Sequence, residues 1–315
     1  MNQQLIDISK NVLHNCLGLK AGETFLIVTD DVKKELAEAL YEAGKSLGAE
    51  TMLAVIQERE RSGQEPPAPL AAAMAASQVV LCITEHSLTH TQARKAAAAA
   101  GARLATMPGI TEDMFLEGAI AADYVQVKAL TERVTGILAQ GKQVRIEKGG
   151  YTLTFSIEGR DGVPSTGVYL NPGESGNLPS GEGYIAPVEG SAEGQVLIDG
   201  SLASYGKLSS PLLLTIEQGR IVKAEGEAAD WLLGKLGDGD GRQLGEFGIG
   251  TNDKARITGV VLEDEKVYGT IHVAFGSNNT FGGTISAGVH IDGVVTKADV
   301  HIDELKIMNN GILHV

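Results

Sequence analysis

The sequence predicts an α/β amino-terminal half with a parallel, doubly wound sheet, followed by a mainly antiparallel β half of the α+β kind. Short apolar runs alternate with alanine-rich helical segments from Thr24 to about Ala139, which is typical of βα units. From residue 141 onwards the apolar positions recur with a period of two, as in half-buried strands. The 40 glycines among 315 residues imply many tight turns. The predicted domains span residues 1–140 and 141–315.

Four strands with helices between them make up the predicted first half. TFLIVTD (Thr24–Asp30) is typical of a buried parallel strand, and Val32–Leu47 of a helix. AETMLAVI and SQVVLCIT predict the next two strands, and ARLATMPGI predicts the fourth after a helix that ends at Gly101. The βα turns contain neither GxGxxG nor GxxxxGK[ST]. They therefore predict no dinucleotide or P-loop site.

The second half is predicted to consist of strands and turns with one or two helices. QVRIEKGGYTLTFSIEG alternates with a period of two on both sides of Gly-Gly, the pattern of an antiparallel hairpin. Helical patterning returns in GEAADWLLGKLG, and the motif VHID occurs twice, ending at Asp292 and at Asp303. We interpret the second copy, with His301, as structural.

Composition excludes several classes of protein. With 26 Lys and Arg against 40 Asp and Glu, the formal net charge is −14, which argues against a nucleic-acid partner. No window approaches the roughly 20 apolar residues that span a bilayer, and the N-terminus lacks the pattern of an export signal. Only Cys16 and Cys82 are present, as in a reducing compartment. We expect a cytoplasmic protein with no membrane or nucleic-acid partner.

Acidic residues and histidines gather in the second half. His290 and Asp292 stand two residues apart on a predicted strand, so their side chains share one face, and such a pair suits a divalent metal. The alternative is a polar, solvated strand face, and glutamates on glycine-flanked turns are often plain surface loops. Together the candidates supply four carboxylates and two imidazoles, the inventory of a two-metal hydrolytic site: Glu182, Glu246, Glu265, His272, His290 and Asp292.

Four segments resemble, in order and approximate spacing, the metal-site segments of the aminopeptidase T family, the M29 leucyl-aminopeptidase type of metallopeptidase. They are NLPSGEGYIAP, LGEFGIGTN, EDEKVYGTIHVAFG and SAGVHIDGVV. The resemblance implies two divalent ions of zinc, cobalt or manganese, held by the six candidates, with a short peptide as substrate and a homodimer as the assembly. The ions would activate a shared water, and Glu246 or Glu265 would carry the proton to the leaving amine. The first hypothesis is therefore a metal-dependent aminopeptidase.

Two features depart from that family's pattern. Asn279 stands where the family has a catalytic tyrosine, and the spacing from Glu265 to His272 is longer than the family's. An asparagine donates a hydrogen bond to an oxyanion but supplies no proton, so Asn279 is a candidate substrate contact. These departures leave open a homologue that binds metal without catalysis.

The same superfamily includes the ring-cleaving 2,5-dihydroxypyridine dioxygenases, which resemble these peptidases. They hold one iron(II) through two histidines and an aspartate, and His272, His290 and Asp292 would supply that set. This alternative leaves Glu182, Glu246 and Glu265 without a metal role. Because all three stand at the peptidase-like positions, the sequence favours the hydrolase.

A further group lies in the first half, in EHSLTHTQARKAA. His90 and Arg94 stand one helical turn apart, with His86 just before them. One interpretation is a contact with a substrate carboxylate. The other is a surface helix start that Ser87 or Thr89 caps.

Overall fold

The computed structural model describes residues 2–315, which divide into two compact units. The first unit holds the chain up to Lys128 together with Gly167–Ser180, and the second holds Ala129–Thr166 and Gly181–Val315. The chain thus changes unit after residues 128, 166 and 180, whereas the sequence pattern places one change near residue 140. Within residues 2–315, no helix combines the length and the apolar character that crossing a bilayer would require.

The regular elements alternate in the first unit and are mostly strands in the second. The helices are α1 (Gln3–Asn15), α2 (Lys34–Ser46), α3 (Ala68–Ala76), α4 (Gln92–Ala99), α5 (Glu112–Leu116), α6 (Tyr124–Gln140), α7 (Ala229–Leu236) and α8 (Val261–Asp264), with 3-10 turns at Ala119–Ala121 and Asp240–Arg242. The strands are β1 (Thr24–Asp30), β2 (Glu50–Ile56), β3 (Val79–Ile83), β4 (Arg103–Thr106), β5 (Gln143–Lys148), β6 (Tyr151–Ser156), β7 (Val163–Ser165), β8 (Ser175–Asn177), β9 (Glu182–Ile185), β10 (Glu193–Ile198), β11 (Ser201–Leu202), β12 (Gly206–Lys207), β13 (Leu212–Glu217), β14 (Arg220–Glu225), β15 (Leu244–Gly250), β16 (Ile271–Gly276), β17 (His290–Val295), β18 (Asp299–Ile302), β19 (Leu305–Asn309) and β20 (Ile312–Leu313).

The first unit is built on a five-stranded parallel sheet with the order β2-β1-β3-β4-β8. Every side chain of β3 is buried, as expected for a central strand covered on both faces. The four predicted strands are present. The fifth, β8, comes from a Gly- and Pro-rich segment of the predicted β half, and its three residues are too few to show a period.

The second unit contains an eight-stranded and a seven-stranded sheet. Their orders are β14-β13-β10-β6-β5-β18-β19-β20 and β12-β11-β17-β16-β15-β9-β7. The predicted hairpin is β5–β6, whose pairing ends at Lys148 and Tyr151. Both turn glycines, Gly149 and Gly150, have positive φ, as the favoured two-residue hairpin turn requires.

One hydrophobic core includes residues from both sheets of the second unit. Phe155 on β6 meets Phe247 on β15 edge to face, with ring centroids 5.4 Å apart, and Leu232 of α7 belongs to the same core. The prediction of a parallel α/β half followed by a mainly antiparallel β half is confirmed. The core packs against one face of β15, β16 and β17. The opposite face of these strands carries polar residues.

Candidate metal centre

Four adjacent strands of the seven-stranded sheet carry five of the six predicted metal ligands. β9, β15, β16 and β17 are neighbours in that sheet, and their pairing sets His272 opposite Gly248, and Asp292 opposite Ala274. Because side chains alternate across a sheet, residues in such register share one face. The sixth, Glu265, lies just after α8. The ligands gathered on this face are Glu182, Glu246, His272, His290 and Asp292.

Small residues between the polar side chains make room for the imidazole of His272. Gly248 lies directly opposite His272 across the β15–β16 pair. A Cβ at that glycine would lie 2.1 Å from Nε2 of His272, far inside van der Waals contact. The ring therefore occupies the space where any other residue would place its side chain.

Glu246, His290 and Asp292 form one group that could hold a cation. Their nearest ligand atoms lie within 4.8 Å of one another. Nε2 of His290 is 3.3 Å from Oδ1 of Asp292 and 3.5 Å from Oε2 of Glu246. The carboxylates are buried, whereas the side chain of His290 is 30% exposed, so the group opens to solvent on the histidine side.

A backbone carbonyl fixes the orientation of His290. Nδ1 of this ring lies 2.8 Å from the carbonyl oxygen of Ser277. A carbonyl only accepts, so Nδ1 must carry the hydrogen and donate it, and the neutral ring presents the lone pair of Nε2 to the group. Metal-binding histidines in proteins are held in this way.

Glu182, Glu265 and His272 form a second group, whose ligand atoms also lie within 4.8 Å of one another. Nε2 of His272 is 3.2 Å from Oε1 of Glu246 and 3.5 Å from Oε2 of Glu182. His272 therefore lies between the two groups. His272 does not fall in one group with His290 and Asp292. Those three residues together are the iron ligands that the dioxygenase alternative assumes.

Lys266, the residue after Glu265, also contacts the second group. It was not among the predicted site residues. Its side chain is 1% exposed, and Nζ donates to Oε1 of Glu182 at 2.6 Å and to Oε1 of Glu265. The signal was available, since this lysine directly follows the acidic triplet of LEDEK. Glu263 and Asp264 of that triplet are fully buried.

The buried charges shift one another's pKa. Burial disfavours the charged form of His272, but Glu246 and Glu182 outweigh it and raise its pKa to about 9. Burial likewise opposes the charge on His290, whose pKa Asp292 raises to about 10. The pKa of Lys266 is raised in the same way, because Glu182 and Glu265 outweigh its burial. Burial raises the pKa of Glu265 to about 8, although Lys266 opposes this. The neighbouring carboxylates thus favour the protonated forms of the two imidazoles and the lysine.

Two aromatic side chains border the open side of the first group. Tyr184 of β9 stands opposite Gly248, on the polar face. Its ring meets Phe281 edge to face at 5.4 Å, and Phe281 meets the ring of His290 at 6.2 Å. The sequence analysis missed both residues, because their positions in separate loops and strands give no common pattern.

His86, His90 and Arg94 belong to the first unit. Nε2 of His86 is 3.7 Å from Glu58, and Arg94 donates to Ser175. The substrate contact predicted for these three residues stays a prediction.

The predicted substrate contact Asn279 lies in the second unit. Asn279 is exposed on the loop after β16, whereas its neighbour Asn278 is buried and accepts from the backbone N–H of Ile285. The role predicted for Asn279 stays a prediction. His301 lies on β18 of the eight-stranded sheet, away from the sheet that carries both groups.

Comparison with known structures finds this fold among solved proteins, including a dioxygenase and an aminopeptidase-type protein. A 2,5-dihydroxypyridine dioxygenase from Pseudomonas putida KT2440 matches with a TM-score of 0.83 and 18% identity, over 100% of this chain and 98% of that one. AmpT from Thermus thermophilus matches with a TM-score of 0.71 and 19% identity, over 99% of both chains. At these identities the likeness shows the fold alone. No curated protein sequence matches.

The family comparison corrects the predicted activity. Residues 4–315 match the model of NicX, described as 2,5-dihydroxypyridine 5,6-dioxygenase. The resemblance to aminopeptidase T holds for the fold, but the assignment as an M29 aminopeptidase, a hydrolase, is wrong. The aminopeptidase-like segments thus indicated the fold and not the reaction. The chain belongs to the NicX family of 2,5-dihydroxypyridine 5,6-dioxygenases.

Proposed function

We propose that this protein is a non-haem iron(II) dioxygenase that opens the ring of a hydroxylated pyridine, with 2,5-dihydroxypyridine as its substrate. The family supports the reaction class. The observation that carries the proposal is the group of Glu246, His290 and Asp292, which presents one nitrogen and two carboxylate oxygens from one sheet face. This group differs from the two-histidine, one-carboxylate set of non-haem iron(II) oxygenases in having Glu246 in place of one histidine, and the second imidazole, that of His272, lies 3.2 Å from Glu246.

The donors present fit one divalent ion of this kind. Two buried carboxylates and an imidazole with a fixed tautomer supply hard and borderline ligands, and no thiolate lies among them. Nε2 of His272 lies 3.2 Å from the other oxygen of Glu246 and so orients that carboxylate. When bound, iron(II) supplies the redox chemistry by which O2 reacts with an electron-rich ring.

The aromatic residues beside the group orient the substrate. Phe281 stands next to His290, and Tyr184 supports Phe281 from the side of the sheet. A flat hydroxypyridine packs against these rings by the offset or edge-to-face contacts that aromatic groups prefer. Its hydroxyl groups then lie on the side of the carboxylates and imidazoles.

The reaction balances without a further reductant. The C5–C6 bond of the ring breaks, and each oxygen atom of O2 ends on one of these two carbons. Substrate and O2 are therefore consumed in equal amounts, and all electrons that reduce O2 come from the ring.

An oxygen-uptake assay tests the proposal. Protein loaded with iron(II) without air is mixed with 2,5-dihydroxypyridine in aerated buffer, and loss of substrate absorbance is followed together with O2. We expect equal consumption of both. The variant Asp292→Asn is expected to lose bound iron and uptake together.

Asp303→Asn is the matched control. It alters the aspartate of the second VHID motif, an exposed residue with φ of 51°, a conformation that asparagine tolerates. This variant should retain both iron and activity. Iron-loaded protein that binds its metal but takes up no O2 with 2,5-dihydroxypyridine would contradict the proposal.

A further inference from the structure

Two groups of ligand atoms lie side by side on one sheet face, but their contents differ. In the group of Glu246, His290 and Asp292, the ion pairs of the carboxylates are with imidazoles, those of His290 and His272, and not with a lysine or arginine. In the group of Glu182, Glu265 and His272, the ammonium of Lys266 already contacts both glutamates. The ammonium of Lys266 thus already occupies the place where this second ligand set could hold a metal ion.

We propose that the ammonium of Lys266 is the built-in cation of the second group and limits the chain to one metal ion. The inference rests on the proposed function only in taking the group around His290 as the metal position. An ammonium is a compact charge with three donors, and two of them are spent on Oε1 of Glu182 and Oε1 of Glu265. A divalent ion would need the same oxygens and would meet a like charge at close range.

The backbone holds Lys266 in this place. The N–H of Asn252 donates to the carbonyl oxygen of Lys266 at 2.8 Å. Gly250 of β15 lies against the same segment, because a Cβ there would be 2.1 Å from the carbonyl oxygen of Val267 and 2.8 Å from the carbonyl carbon of Lys266. Glu182 is the register partner of Gly250. The close approach that this glycine allows therefore brings the lysine to its carboxylate partner.

Removing the ammonium leaves the negative charge of Glu182 and Glu265 without the lysine that compensates it. Oε2 of Glu182 is buried and has no hydrogen-bond partner among residues 2–315, and it lies 3.5 Å from Nε2 of His272. Without Lys266, the two glutamates would face each other with one imidazole between them. Carboxylates and imidazole in that arrangement are ligands for a divalent ion.

Cobalt(II) stoichiometry tests the inference without any assay of activity. Wild-type protein and Lys266→Gln are stripped with chelator, dialysed against cobalt(II), and analysed for metal and for visible absorption. We expect about one ion per chain in the wild type and about two in Lys266→Gln, with a second absorption band. Lys207→Gln, at an exposed lysine, is the control and should bind as the wild type does. The double variant Glu265→Gln/Lys266→Gln removes a ligand along with the lysine and should return to about one ion.

A second measurement decides the matter if Lys266→Gln fails to fold. In the wild-type background, Glu182→Gln should keep the cobalt of the His290 group, because Glu182 pairs with the lysine. Two ions in the wild type, one ion in a folded Lys266→Gln, or loss of cobalt in Glu182→Gln would each overturn the inference. Failure of the oxygen-uptake assay leaves these metal counts unaffected, so the two proposals fail separately.

Discussion

Single residues decide whether the polar face of β15, β16 and β17 works as a site. Gly248 matters because it has no side chain, since the ring of His272 fills the place of its Cβ. Lys266 matters because it places a charge where the pattern of glutamates suggests a metal. Neither residue belongs to a ligand motif, yet each one determines what the ligands beside it can do.

Gly248→Ala should displace His272 from Glu246. The added methyl would lie 2.1 Å from Nε2, so the ring must leave its hydrogen bond to Oε1. We expect cobalt affinity to fall by about 10–100-fold, as when a supporting contact of a metal ligand is lost, and unfolding free energy to fall by about 1–3 kcal/mol. Competition titration and urea unfolding measure both.

The control for this prediction is Gly234→Ala in α7. A Cβ at Gly234 meets no atom within 4 Å, and alanine is the better helix former by about 1 kcal/mol. This variant should be as stable as the wild type or more stable, with unchanged cobalt affinity. Equal cobalt affinity in Gly248→Ala and wild type would show that the place of His272 does not support the metal group.

At the scale of elements, β15 serves two purposes with its two faces. Glu246 and Gly248 lie on the polar face, whereas Phe247 is fully buried in the core opposite Phe155. Successive side chains of a strand point to opposite faces of the sheet, so neighbouring residues serve the two roles. The position of the ligands therefore depends on the packing behind them.

Phe247→Ala should destabilise the second unit strongly. The loss of a fully buried aromatic ring that packs on Phe155 costs about 3–5 kcal/mol, whereas Phe247→Leu should cost clearly less because it leaves a smaller cavity. Urea unfolding followed by tryptophan fluorescence measures both, since Trp231 packs against the same core. Similar losses in the two variants would mean that cavity size is not the determining factor.

At the scale of the whole molecule, the bound metal is expected to stabilise the fold. Three buried carboxylates, Glu182, Glu246 and Asp292, lie on the polar sheet face, and a ligand that binds only the folded state adds about 2.7 kcal/mol at a concentration of 100 Kd. Chelation should therefore lower the Tm of the metal-loaded protein. Asp292→Asn, which has lost its metal, should show little change with chelator; an equal drop in both would assign the effect to something other than this ion. The homodimer stays a prediction, which sedimentation velocity tests.

The sequence by itself determined the order of the halves, most strands of the parallel sheet, the β5–β6 hairpin and the residues that gather on one sheet face. These follow from local patterns: apolar periodicity, glycine at turns and polar residues two apart on a strand. Local patterns could not reveal β8, a three-residue strand that the rest of its sheet defines.

Only the tertiary structure separated the six candidate ligands into two groups and placed Lys266 in one of them. The ring of Phe281 beside His290 is likewise a tertiary contact. A metal site depends on distances between atoms of distant strands, and on which charges share one buried volume. Neither is set until the strands are in register. The reaction itself was corrected by the family match over residues 4–315, since the glutamates by themselves pointed to a hydrolase.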